Sequence, residues 1–133
     1  QQGGAMLICD YGYVQPGLGS TLQAVKAHER ADPFLDPGTC DLTAHVNFFD
    51  LANMARMRKL SLSGATAQGV WLSALGIQQR AAMLSEASPE RTNEINAARD
   101  RLVKADQMGT LFKVMAVHSP GWPTPEGFGA AVD

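Results

Sequence analysis

This 133-residue sequence has few cysteines, no long apolar run and almost no net charge. Its two cysteines, Cys9 and Cys40, are too few for a disulfide framework, so we expect free, buried thiols in a reducing compartment. The longest apolar run, from Ala5 to Cys9, is far shorter than the roughly 20 residues that a membrane helix needs, so we expect no membrane span.

The balance of charge limits the partners that the chain can have. Lys and Arg number 11 and Asp and Glu number 13, which gives a net charge of −2. Such a surface has no general attraction for polyanions, so we expect no nucleic-acid partner. The three histidines and two cysteines lack the paired spacing of zinc ligands, and we expect no metal site. The 45% of hydrophobic residues is typical of a folded domain rather than a disordered segment.

The first structural signal is the apolar run over residues 5–9, which lies between Gly4 and Asp10. The run is continuous rather than alternating, which is typical of a strand covered on both faces in an α/β sheet. Neighbouring strands and helices must supply that cover, and none precedes the run in this sequence. We therefore expect the chain to begin in the middle of a sheet.

Local signals predict the remaining elements. Ser20 and Gln23 have the spacing of a capping box, which predicts a helix from Ser20 to about Arg30. Asn47 is the expected N-cap of a helix that ends near Met57. The other predictions are an extended segment over 41–46, a short strand over 60–63 ended by Gly64, helices over 67–75, 77–87 and 89–105, a strand over 111–117, and a mobile Pro/Gly-rich tail over 119–133.

This order of elements predicts an α/β fold over residues 1–118, with about three strands and an inserted helical segment. A crossover followed by a last pair of strands resembles the second half of a doubly wound sheet. The tail over 119–133 is expected to lie outside that fold.

One pair of candidate site residues, Asp10 and Tyr11, comes where the first predicted strand ends. Ligands of open α/β sheets bind at the carboxyl ends of the strands, and an acid with a phenol there could hold a polar or cationic substrate. The simpler interpretation is that Asp10 caps a turn while Tyr11 packs against its neighbours.

A second candidate group alternates along the extended segment. Asp41, Thr43 and His45 would share one face, where they could orient a substrate or a proton. It is equally consistent with the sequence that Asp41 and Thr43 bind loop backbone and that His45 lies at the surface. The segment from Gly17 to Thr21 lacks the lysine of a phosphate-binding loop, so a flexible loop is its better interpretation.

Several short segments, taken in order, carry a resemblance that covers residues 3 to about 118. They are Gly-Gly at 3–4, Asp-Tyr-Gly at 10–12, Gly-Ser-Thr-Leu-Gln-Ala at 19–24, Asp-Pro-Gly at 36–38, Asp-Leu-Thr-Ala-His-Val at 41–46, Gln-Gly at 68–69, Leu-Gly-Ile at 75–77 and Gln-Met-Gly-Thr-Leu-Phe-Lys-Val at 107–114. This ordered set resembles the MidA-type class I S-adenosylmethionine-dependent methyltransferases. Ser20 and Asn47 stand where that family usually has Asp, and both keep helix-cap chemistry.

The resemblance implies the C-terminal part of a Rossmann-like methyltransferase fold. Mitochondrial members of the family are arginine methyltransferases that assist the assembly of respiratory complex I. The implied cofactor is S-adenosylmethionine, and the implied partner is a protein substrate such as a complex I subunit. The implied location is the cytoplasm of a bacterium or the mitochondrial matrix.

The resemblance also implies which parts of the site this chain carries. The family's glycine-rich cofactor loop and its ribose-binding acid lie upstream of the segment that matches, so we expect this chain alone to be inactive. From the strand-end placement and the alternating polar segment, we expect Asp10 and Tyr11 to be catalytic residues at the rim of the active site, and Asp41, Thr43 and His45 to form part of the substrate-side wall. The alternative is a non-catalytic α/β fragment that binds a partner or forms a homodimer through its helices.

Overall fold

The computed structural model describes residues 3–27, 29–36 and 38–129. The strands are β1 (Ala5–Tyr13), β2 (Gln23–Lys26), β3 (Glu29–Ala31), β4 (Asp41–Thr43), β5 (Val46–Asn47), β6 (Ser61–Ala67) and β7 (Phe112–His118). The helices are α1 (Phe48–Met57), α2 (Gln68–Ala74), α3 (Ile77–Ala87), α4 (Thr92–Val103) and α5 (Met108–Leu111), with a 3-10 turn over Pro89–Arg91. None of the described helices is both long enough and apolar enough to cross a bilayer.

The larger of two sheets has the strand order β5-β1-β7-β6. Strand β7 runs antiparallel to both of its neighbours, while β5 runs parallel to the last residues of β1. The apolar sequence of β7 is buried from Val114 onward, where the strand has β1 on one side and β6 on the other. On one face, Phe48 of α1 packs with Met115 and Val117 to form the core.

The helices that follow local signals are where the sequence predicts them. Asn47 caps α1, since its side-chain oxygen accepts a hydrogen bond of 3.1 Å from the backbone N–H of Asp50. Gly76 adopts a φ of +85° between α2 and α3, as expected of a residue that ends a helix. The helix predicted from Pro89 begins instead as a 3-10 turn and becomes α-helical at Thr92.

The predicted helix from Ser20 to Arg30 is wrong. These residues form β2 and β3, and β2 also pairs with β4 to make a three-stranded sheet of order β3-β2-β4. The Ser20 hydroxyl accepts from the N–H of Leu22 rather than from that of Gln23, so the capping box does not form. Pairing between segments distant in sequence outweighs the local helix signal here. The three strands of the small sheet and β5 together raise the strand count among the described residues from the expected three to seven.

Strand β1 is longer and more exposed than predicted. It continues to Tyr13 instead of ending at residue 9, and Met6 and Leu7 are 55% and 53% exposed. Within the described chain, β5 pairs only with Gly12 and Tyr13, so the earlier part of that β1 edge has no strand beside it. The expectation of two buried thiols is therefore wrong for Cys9, which is exposed, while Cys40 is half-buried.

Two further expectations change at the far side of the sheet. Strand β6 passes through Gly64 with a register shift and runs to Ala67, so Gly64 does not end it. The tail over 119–129 packs against the domain rather than moving freely. Its Ser119 N–H donates to the Gly4 carbonyl at 2.9 Å, and the Trp71 indole donates to the Glu126 carbonyl at 3.2 Å. Residues 130–133 of the predicted tail lie outside the described residues.

Candidate functional site

The candidate site lies where the carboxyl ends of β1 and β5 meet the small sheet. Because β1 and β5 are parallel, their carboxyl ends lie at the same end of the sheet. Strand β7, which is antiparallel to β1, begins at that end. Gly12 permits this closeness, since a Cβ on it would lie 2.2 Å from the Val46 carbonyl oxygen and 2.8 Å from the Phe48 ring. The glycine of the Asp-Tyr-Gly segment thus lets β5 and α1 pack directly on β1.

Asp10 and Tyr11 point to opposite faces of β1 because successive side chains of a strand alternate. Asp10 shares its face with Gly12, which packs on Phe48 of α1. Tyr11 shares its face with Cys9, whose thiol donates to the Gln68 side-chain oxygen at 3.3 Å. The two predicted catalytic residues are therefore neighbours that face different surroundings.

The Tyr11 ring joins two elements that are far apart in the sequence. It meets Phe112, its cross-strand partner, edge to face with centroids 5.5 Å apart. It also meets His45 edge to face at 5.8 Å. Both arrangements are those that aromatic rings prefer. The structure thus brings together Tyr11 and His45, which the sequence nominated separately.

His45 is held by two residues that sequence reasoning missed. Its backbone N–H donates to the Thr21 hydroxyl at 3.0 Å, and its ring Nε2 lies 3.2 Å from the Gln23 side-chain Nε2. Both residues fall inside the segment that was predicted to be helical. Their polar side chains occur at alternate positions, as in a strand with one polar face, and that spacing is the signal that could have found them.

Asp41 and Thr43 lie on β4, where they pair with Val25 and Gln23 of β2. As residues two apart on a strand they share a face, as the sequence predicts. Thr43 is half-buried and Asp41 is exposed, and neither side chain makes a hydrogen bond within the described residues. Of the predicted trio, His45 is the residue whose ring packs on Tyr11 of β1.

The charged groups near the site are held mainly by backbone atoms. Asp10 accepts a 2.8 Å hydrogen bond from the N–H of Tyr11. Lys113 pairs with Asp10 in the β1–β7 register, but its ammonium group donates to the carbonyls of Thr110 and Leu111. Partial burial lowers the pKa of Lys113, and burial together with the Asp10 charge raises the pKa of the Cys9 thiol.

The loop with Gly17 and Gly19 lacks the packing of a phosphate loop, and the described residues show no cluster of metal ligands. Gly17 and Gly19 lie in an exposed loop, and a Cβ added to either would meet nothing within 4 Å, so no chain packs around them as in a phosphate loop. No group of three or more His, Cys, Asp or Glu side chains comes together in the described ranges in a way that could hold a metal ion. What the residues at this site do show is a set of aromatic contacts around the Tyr11 ring, which packs against His45 and Phe112.

Comparisons with known proteins place the chain in a family. Residues 1–66 match a family model described as "Putative S-adenosyl-L-methionine-dependent methyltransferase". The chain is 34% identical over 119 residues to a Drosophila melanogaster protein named "Protein arginine methyltransferase NDUFAF7 homolog, mitochondrial". That alignment covers 88% of this chain and 27% of the Drosophila protein. It is 37% identical over 117 residues to the Xenopus laevis protein named "Protein arginine methyltransferase NDUFAF7, mitochondrial", covering 86% of this chain and 26% of that one.

Solved structures agree with these sequence matches. An uncharacterized protein from Burkholderia thailandensis superposes with a TM-score of 0.83 at 28% identity, covering 96% of this chain and 36% of that chain. A second protein from the same organism, described as a "likely methyl transferase" bound to S-adenosyl-homocysteine, superposes with a TM-score of 0.78 at 29% identity, covering 93% of this chain and 34% of that chain. These neighbours confirm the α/β, Rossmann-like fold class.

The share of each relative that is matched is small. The chain spans about a quarter of the length of these curated relatives and about a third of the solved structures. The matched segments include both β1 and the small sheet, so the candidate site lies within the shared part. The chain belongs to the family of S-adenosylmethionine-dependent methyltransferases that this family model and these relatives represent.

Proposed function

We propose that this chain is the substrate-side, C-terminal part of a methyltransferase that modifies a protein arginine. The observation that carries the proposal is the contact between His45 and Tyr11 at the carboxyl end of β1, where open α/β folds bind their ligands. The names of the relatives, protein arginine methyltransferases, support arginine as the acceptor. In this proposal residues 1–118 form the methyltransferase part and 119–133 the tail.

The chain's own residues would act by positioning and by charge. Transfer of a methyl group from a sulfonium to a nitrogen needs the acceptor held in line, and most of the protein's contribution is orientation. The Asp41 carboxylate would hold the guanidinium through charge-assisted hydrogen bonds and the Tyr11 ring would offer its face to that cation, while Asp10, on the opposite face of β1, would lie at the rim of the site. Thr43 and His45 would complete the wall on the side of the small sheet.

S-adenosylmethionine supplies the methyl group when it is bound. The exposed glycine loop of this chain does not provide a cradle for it, so in our proposal the main cofactor loop lies in a preceding segment and the 133-residue chain alone is inactive. Relatives named as mitochondrial support a mitochondrial matrix location, and the cytoplasm is the location proposed for a bacterial enzyme. The proposed partner is a protein substrate such as a respiratory complex I subunit.

Methyl transfer by the longer protein that contains this segment tests the proposal. Asp10→Ala is expected to lower kcat/KM by roughly tenfold to a hundredfold, the effect of losing a hydrogen bond that involves a charged group, and His45→Ala by roughly threefold to tenfold, the effect of one neutral hydrogen bond. Asp106→Ala is the matched control because Asp106 is exposed and lies in the turn between α4 and α5 rather than on β1 or β4. Unchanged turnover and unchanged KM for the protein substrate in both site variants would contradict the assignment.

One observation favours the alternative of an interaction module that forms a homodimer. A groove of about 340 Å³ runs between α3 and α4 and is lined mainly by apolar side chains, including Ile77, Leu84, Ile95 and Leu102. A second copy of the chain would bury this surface. If so, Leu84→Glu abolishes a dimer in sedimentation equilibrium and Met83→Glu, on an exposed residue outside the groove, does not. A wild-type chain that sediments as a monomer would exclude this alternative.

A further inference from the structure

The hydrogen bond between the side chains of Gln23 and His45 has an identifiable donor and acceptor. The two atoms that meet are the Gln23 side-chain Nε2 and the His45 ring Nε2, 3.2 Å apart. With the Gln23 amide in this orientation its nitrogen can only donate, so the histidine nitrogen is the acceptor. A neutral imidazole that accepts at Nε2 carries its proton on Nδ1.

The ring and its partner are both held by the small sheet. Gln23 is the first residue of β2 and pairs in register with Thr43 of β4. The backbone of His45 is tied to the Thr21 hydroxyl at 3.0 Å, and the Tyr11 ring packs against the imidazole. Within the described residues the His45 Nδ1 makes no hydrogen bond, so that N–H is free to meet a ligand.

We infer that Gln23 is a positioning residue that fixes His45 in the Nδ1–H form and thereby makes it a hydrogen-bond donor toward the substrate. A guanidinium group consists only of donors, so this form of His45 does not bind the acceptor arginine directly. It fits an oxygen acceptor instead, and the peptide carbonyl beside the acceptor arginine is the chemical group that we assign to it. The identity of that ligand rests on the proposed function, whereas the protonation of the ring does not.

The ring proton can be located by NMR. In the 15N-labelled 133-residue chain, at a pH where the ring is neutral, long-range 1H–15N spectra should show His45 Nδ1 as the protonated nitrogen and Nε2 as the unprotonated one. The His45 signals are assigned by their loss in His45→Gln. Observation of the proton on Nε2 in the wild-type chain would overturn the inference.

Two variants of Gln23 sharpen the result. Gln23→Glu replaces the donor with a carboxylate that only accepts, so the proton is expected to move to Nε2 and the two nitrogen signals to exchange character. Gln23→Met removes the donor while keeping the length of the side chain, and it is expected to give a mixture of both forms. Gln15→Glu makes the same charge change in an exposed loop and should leave the wild-type pattern intact. A Gln23→Glu chain with an unchanged His45 pattern would also overturn the inference.

Kinetics of the longer methyltransferase test the ligand separately. Gln23→Glu should raise KM for an arginine-containing peptide by roughly threefold to tenfold, the effect of one neutral hydrogen bond, and should change kcat less. A reversed proton position with an unchanged KM would refute the assignment of a carbonyl ligand while Gln23 keeps its positioning role. Absence of arginine methylation by the wild-type enzyme would refute the proposed function and leave the NMR result standing.

Discussion

The two sheets of this molecule are held together in different ways. In the larger sheet, each residue from Ala5 to Tyr11 of β1 faces a residue of β7, and β7 is buried from Val114 to His118. In the smaller sheet, Ala24 is the one residue in the described strands that is fully buried. Burial of apolar surface therefore holds the larger sheet, while backbone pairing and polar side chains hold the smaller one.

This difference bears on the candidate site, because the site lies between the two sheets. The Tyr11 ring belongs to the larger sheet, and His45 follows the last strand of the smaller one. A strand that is paired along most of its length thus faces a segment that is held by a few polar contacts. We therefore expect single substitutions in that segment to alter the candidate site without unfolding the domain.

The largest effect is expected in the core of the larger sheet. Phe48→Ala removes a side chain that is 1% exposed and should lower the free energy of unfolding by about 3–5 kcal/mol, because it leaves a cavity under β7. Phe34→Ala makes the same change on a side chain that is 80% exposed near the small sheet, and it should change stability by less than about 0.5 kcal/mol. Urea unfolding measures both variants, and similar losses for the two would contradict the contrast.

A smaller effect is expected where the two regions join at the start of α1. Asn47→Ala removes the N-cap hydrogen bond to Asp50 and should cost about 1 kcal/mol of unfolding free energy. Asn93→Ala is the matched control, since Asn93 is exposed and its side chain makes no hydrogen bond within the described residues. If thermal unfolding shows no difference between the two variants, Asn47 does not act as a cap.

Within the small sheet, the expected effect is local. Thr21→Val keeps the shape of the side chain but removes the oxygen that accepts the His45 backbone N–H. Amide hydrogen exchange at His45 should become about fivefold to tenfold faster, and global stability should fall by less than in Phe48→Ala. Thr124→Val, in the tail, should leave exchange at His45 unchanged. Unaltered exchange in Thr21→Val would show that this hydrogen bond does not hold the wall.

The smallest effect concerns Cys9, on the exposed part of the larger sheet. Although the residue is exposed as a whole, partial burial of its thiol and the neighbouring Asp10 charge raise the pKa of the thiol above its ordinary value, so at pH 8 alkylation should be slower than for an unperturbed thiol. Asp10→Asn removes the negative charge beside the thiol and should therefore speed alkylation. Asp106→Asn removes a charge elsewhere and should leave the alkylation rate unchanged. Equal rates in all three proteins would contradict the role of Asp10.

The raised thiol pKa also sets the sign of a pH effect on stability. The folded state holds the Cys9 proton more tightly than the unfolded chain does, because the pKa is raised in the fold. Its contribution to stability is therefore fully present below the unfolded pKa and is lost as the pH rises through the folded value. Cys9→Ser should remove this alkaline part of the stability profile.

The sequence predicts the parts of the fold that depend on local signals. The Asn47 cap and the Gly76 turn involve neighbouring residues, and the helices around them are confirmed. The small sheet depends on pairing of β2 with β4, whose register joins Gln23 to Thr43 across the chain. The capping-box pattern at Ser20 contained no information about that pairing, so the helix prediction failed there.

The sequence identifies residues of the candidate site but not how they are arranged. Tyr11 is identified by its place at the end of a predicted strand, and His45 by its place in an alternating polar segment. Their contact depends on the fold of the small sheet, as do the roles of Thr21 and Gln23. The exposure of Met6 and Leu7 was missed for a similar reason, because an apolar run does not reveal which of its edges has a neighbour within the described chain.

The central claim is that this chain supplies the substrate-side wall while another segment of the enzyme holds the cofactor. Isothermal titration of S-adenosylmethionine into the 133-residue chain, and into a longer protein that would include the proposed preceding segment, tests this claim directly. The account predicts saturable binding by the longer protein and none by the chain alone. Tight binding by the 133-residue chain would contradict it.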